Sequence, residues 1–127
     1  MGTTKITVAI IALLAALGVA SAASAKGGGP SVSGTCTAAS ASTLKAKSDD
    51  GRLEVEFEVD SNVVRQAWRV VLADNGSTFL KKTLKTKGPS GSFTARARPR
   101  DRAGADSIQA TATNSATGES CSATLSV

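Results

Sequence analysis

Arg52-Leu53-Glu54-Val55-Glu56-Phe57-Glu58-Val59-Asp60 is the stretch that decides the fold. Apolar and acidic residues alternate through it without a break. Successive side chains of an extended strand turn to opposite sides, so Leu53, Val55, Phe57 and Val59 share a dry face. Glu54, Glu56, Glu58 and Asp60 share a wet one. A half-buried strand of this kind needs a second layer over its dry face, which predicts a layered, antiparallel β protein.

Working outward, the same short period recurs between turn signals, and no segment carries a helical period. Ser31–Ala39 carries Cys36, and Thr43–Ser48 leads through Asp49-Asp50-Gly51, a tight turn, into the acidic strand. Ser61-Asn62 breaks that strand. Arg65–Ala73 then sets Trp68, Val70 and Leu72 on one face, and Asp74-Asn75-Gly76 is a hairpin signal. Phe79–Thr86 reads as a lysine-rich edge strand, since exposed lysines discourage pairing with other chains. Lys87–Gly91 is a loop. Ser92–Arg98 alternates Phe93, Ala95 and Ala97 with Thr94, Arg96 and Arg98, and Ser107–Thr113 alternates Ile108, Ala110 and Ala112 with polar residues. Cys121–Val127 closes the chain with Ala123, Leu125 and Val127 on the cysteine's side. The expectation is seven to eight strands in one immunoglobulin-like antiparallel β-sandwich spanning 31–127.

Trp68-Arg69-Val70-Val71-Leu72 followed by Asp74-Asn75-Gly76 resembles the central tryptophan strand of immunoglobulin-like or fibronectin type III-like domains. Asp106–Ala112 leading through Ala116-Thr117-Gly118 resembles the closing hairpin of bacterial immunoglobulin-like domains. The chain is also similar to small exported proteins of actinobacterial type. Two features depart from antibody domains: there is no tyrosine for a tyrosine corner, and the cysteines sit on the first and last strands. The resemblance implies a fold and leaves the activity open.

With alanines at so many inward positions, Trp68, Phe57, Val70, Phe93 and Ile108 must supply much of the core. Trp68 reads as a core plug rather than a ligand-stacking residue.

Lys5 before the apolar run Ile6–Val19, then Ala20-Ser21-Ala22 and Ala23-Ser24-Ala25, reads as a signal peptide over residues 1–25. The run is too short for a membrane span, which takes about 20 apolar residues. A flexible glycine-rich leader, 26–30, follows. The expected product is secreted, extracellular, monomeric, and off the membrane after cleavage. In an exported chain, Cys36 and Cys121 read as one disulfide.

Two constellations are candidates for function. Glu54, Glu56, Glu58 and Asp60 lie in a row at about 7 Å spacing. Glycoside hydrolysis needs carboxylates across a cleft, and a calcium site gathers oxygens around a point, so a solvated strand face fits better. Glu54, Glu56 and Glu58 are instead expected to form cross-strand ion pairs with Arg96 and Arg98, because the second and fifth strands of such sandwiches are neighbours. Lys81, Lys82, Lys85 and Lys87 are left over as a possible polyanion contact.

Nucleic acid is a poor match, because no exposed aromatic is interleaved among the cations and the net charge is only +5. The absence of histidine and tyrosine, and of any serine-nucleophile motif, argues against catalysis. No ligand set for zinc or haem is present and no cofactor is expected. The expected function is a secreted, non-catalytic binding or interaction module contacting anionic surface polymers or proteins. The alternative is a small-molecule carrier resembling chromophore-binding apoproteins, although the chain lacks a second disulfide pair.

Overall fold

The computed structural model describes residues 29–127. The expected signal peptide, and residues 26–28 of the glycine-rich leader, lie outside the described residues. Nine strands follow in order: β1 (Ser31–Ser33), β2 (Thr35–Cys36), β3 (Ala41–Asp49), β4 (Arg52–Asp60), β5 (Ala67–Asp74), β6 (Ser77–Lys85), β7 (Ser92–Ala97), β8 (Ser107–Asn114) and β9 (Ser120–Ser126). There is no helix among the described residues. Two antiparallel sheets form the sandwich, ordered β1-β3-β4-β7 and β2-β9-β8-β5-β6.

The strand count exceeds the expected seven to eight because the first predicted strand divides between the two sheets. β1 pairs with β3 and β2 with β9. Gly34 stands at the crossing, where a Cβ would come 2.1 Å from the Ser42 hydroxyl oxygen and 2.7 Å from the Ser122 carbonyl oxygen. Only a residue without a side chain passes there.

Two hairpins set the registers. Asp50 and Gly51 join β3 to β4 with φ of 55° and 78°, and Asn75 and Gly76 join β5 to β6 with φ of 48° and 83°. Paired positive φ values give a two-residue turn whose twist matches that of the strands.

Burial follows the alternation. Leu53, Val55, Phe57 and Val59 of β4 are fully covered, facing Trp68, Val70 and Leu72 of β5 and Ile108, Ala110 and Ala112 of β8 across the sandwich. Trp68 and Phe93 meet between the sheets with ring centroids 6.2 Å apart. Cys36 and Cys121 are in-register partners on β2 and β9 and form a disulfide across 85 positions of sequence. The bond ties the chain's second strand to its last and suits an oxidising compartment.

At one end, Glu119 fastens the 37–40 segment to the β8–β9 turn. Its carboxylate accepts from the Ser40 hydroxyl at 2.6 Å and from the Ser40 and Ala38 backbone N–H groups at 3.0 and 3.1 Å. Burial works against its charge, but these donors outweigh it and hold the group below the usual glutamate value.

Candidate functional site

The acidic strand is one rail of a charge ladder. β4 lies between β3 and β7, and two of its carboxylates, Glu54 and Glu56, meet cations from both sides. Arg96 Nε lies 3.1 Å from Glu56 Oε1, and Lys45 stands opposite Glu56 on the other neighbour. Glu54 receives Lys47 Nζ at 3.2 Å and Arg98 Nε at 3.8 Å, while Arg98 Nη2 reaches Asp49 Oδ2 at 3.2 Å.

Glu58 departs from the expectation. The register places it between Thr43 and Thr94, and it has no ion pair among the described residues. The outer face of this sheet thus compensates most of its own charge. Its carboxylates line an open face with cations between them.

The other sheet differs. Outward positions on β5 and β6 carry Arg69, Lys81 and Lys85, with Arg69 opposite Thr83 and flanked along β6 by the two lysines. β6 is an edge strand, as its lysines suggest. Outward positions on β8 and β9 hold Ser107, Gln109, Thr111, Thr113, Ser120, Ser122, Thr124 and Ser126. None of the outward positions on these four strands is acidic, and Arg69, Lys81 and Lys85 make no ion pair among the described residues.

The expected lysine cluster is divided by the pleat. Lys82 pairs with buried Val70, so it lies on the inward-facing row at the open edge, opposite in sense to Lys81 and Lys85. Lys87 lies past the end of β6, where it joins Arg65 and Lys85 around a hollow of about 450 Å³ that also includes Val64. Lys81, Lys85 and Lys87 with Arg65 and Arg69 therefore form a cationic zone running from the sheet face to one end of the sandwich. Arg65 and Arg69 were not singled out in the sequence; their place on the lysines' side emerges only from the β5–β6 register.

At the opposite end, Asp74 at the close of β5 and Asp106 just before β8 are 8% and 2% exposed. Their Oδ1 atoms are buried without a hydrogen-bond donor. Burial, then hydrogen bonds to Asp74 and Asp101 and the repulsion of both, raises Asp106 from 3.8 to about 6. Asp101 also accepts from the Ser48 hydroxyl at 3.0 Å. A close carboxyl–carboxyl contact is favourable only while one partner keeps its proton. The sequence did carry a signal for this: Asp74 continues the alternating Trp68, Val70, Leu72 series onto the dry face. Among the described residues no three His, Cys, Asp or Glu side chains are grouped to hold a metal. No helix among them is long and apolar enough to cross a membrane.

No protein-family model matches the chain, and neither the curated proteins nor the solved structures provide a match.

Proposed function

We propose that the protein is a secreted, non-catalytic binding module of immunoglobulin-like or fibronectin type III-like architecture, and that its ligand is an anionic surface polymer or an acidic protein. The observation that carries the reading is the contrast between the two outer faces. One sheet pairs Asp49, Glu54 and Glu56 with cations; the other presents Arg69, Lys81 and Lys85 with no acid beside them. Unmatched cations on an open face attract a polyanion from a distance and discriminate against like-charged partners.

The strand orders support the architectural part. Setting aside β1 and β2, β3-β4-β7 and β9-β8-β5-β6 correspond to the A-B-E and G-F-C-C′ arrangement of such sandwiches. The disulfide and the leader-like residues 1–25 support export. The carrier alternative gains no support from an interior occupied by Trp68, Phe57, Leu44 and Ile108.

Binding of the purified protein to immobilised polyglutamate and to anionic cell-wall polymer tests the reading. Binding should weaken as salt shortens the screening length from about 10 Å at 0.1 M to about 3 Å at 1 M. Salt-insensitive binding, or none at low salt, counts against it.

A further inference from the structure

Val63 and Val64, on the loop between β4 and β5, are 51% and 43% exposed. The loop is not slack. The buried Thr86 hydroxyl donates to the Val63 carbonyl at 2.6 Å and accepts from the Gln66 N–H at 2.9 Å. Arg65 N–H donates to the Thr86 carbonyl at 2.8 Å, and Thr86 N–H to the Gln66 carbonyl at 2.9 Å. Beneath the loop, a Cβ at Gly91 would fall 2.3 Å from the Val63 nitrogen. Asn62 and Arg65 take φ of 60° and 64°, left-handed conformations that an L-residue keeps only where its surroundings enforce them. The fold holds two adjacent valines out in water, where burial would have been favourable.

A hollow lies on each side of this ridge. On the Val64 side, Arg65, Lys85 and Lys87 surround about 450 Å³ with no acid in the lining. On the Val63 side, a hollow of about 440 Å³ is polar and includes Ser40, Gln66 and the Glu119 carboxylate, so the acid-free, cationic side of the ridge is that of Val64.

We propose that this ridge is the docking site for an acidic segment of a partner protein. An apolar side chain of the segment packs on Val63 and Val64, and its carboxylates meet Arg65, Lys85 and Lys87. Charge complementarity selects an acidic partner. The apolar ridge beside those cations selects a polypeptide, which carries apolar and carboxylate side chains together, over a sugar or phosphate polymer, which has no apolar side chain to pack on the valines. The proposal rests on the polyanion-binding reading above and narrows it.

The test uses two labelled peptides of equal charge, one of repeated Glu-Glu-Leu-Gly and one of repeated Glu-Glu-Ser-Gly, followed by fluorescence anisotropy at low salt. Phosphatidylglycerol vesicles form a third arm. The leucine peptide should bind about tenfold more tightly than the serine peptide, the effect of burying an apolar side chain. V63S/V64S should bind both peptides alike, at the serine peptide's affinity, with an unchanged unfolding temperature. Equal affinity of the native protein for both peptides overturns the docking site while leaving the cationic face in place. Failure to bind either peptide overturns both readings. Vesicle binding stronger than the leucine peptide's, and lost in V63S/V64S, overturns the choice of a polypeptide.

Discussion

Glu56 on β4 and Arg96 on β7 are in-register neighbours, joined at 3.1 Å across two strands separated by 40 positions of sequence. Both side chains are substantially exposed, so the pair acts through register more than through energy. E56Q or R96Q alone should destabilise by about 0.2–1 kcal/mol, and the double substitution should cost less than the two single losses added together. Urea unfolding of the four proteins measures this; strictly additive losses would mean the pair does not couple.

Trp68 is completely buried, yet its indole N–H has no acceptor. Trp68→Ala should therefore cost about 3–5 kcal/mol through the cavity it leaves. Trp68→Phe should cost clearly less, because no hydrogen bond is lost with the indole. Thermal unfolding distinguishes the two, and equal costs would indicate an unseen partner for the nitrogen.

The disulfide closes most of the domain into one loop. Its removal in C36S/C121S should lower stability by up to about 4–5 kcal/mol, the loop-entropy figure for so long a closure. Denaturant midpoints with and without reductant check this; a native protein indifferent to reductant would show that the sandwich stands without its staple.

Much of this fold was legible in the chain. The alternation at 52–60 became β4 with those same limits, and the arginines at 96 and 98 do lie beside its glutamates. Glu58 stays outside the ladder, because alternation fixes the face a residue takes but not its register, and its neighbour on β7 is Thr94. The split at Gly34 was hidden, because a strand that changes sheets keeps its local pattern. The lysines 81, 82, 85 and 87 read as one cluster, and only the pairing of Lys82 with Val70 shows that they divide. The ridge at Val63 and Val64 had no sequence signal, since apolar residues after a strand break read as core by default.

Asp106 gives the protein a pH dependence of defined sign. Its carboxyl is raised by burial and by Asp74 and Asp101 to about 6, above its ordinary 3.8. The native state thus holds the proton more tightly than the unfolded chain, so this stabilisation is fully present below 3.8 and is lost as pH rises through about 6. D106N should flatten that slope and stabilise the protein at neutral pH. Urea midpoints of native protein and variant on either side of pH 6 check the sign; a native protein that gained stability across that range from this group would contradict it.

The central claim is that binding resides on the face whose cations are unmatched. Two variants of equal net charge test it most directly: R69S/K81S/K85S, on the outer face of β5 and β6, and K45S/K47S/R96S, in the ladder around β4. With polyglutamate at low salt, the first should lose about tenfold or more in affinity while the second stays within about threefold of the native protein. Equal losses in both would mean that binding follows net charge alone, and would contradict a dedicated face.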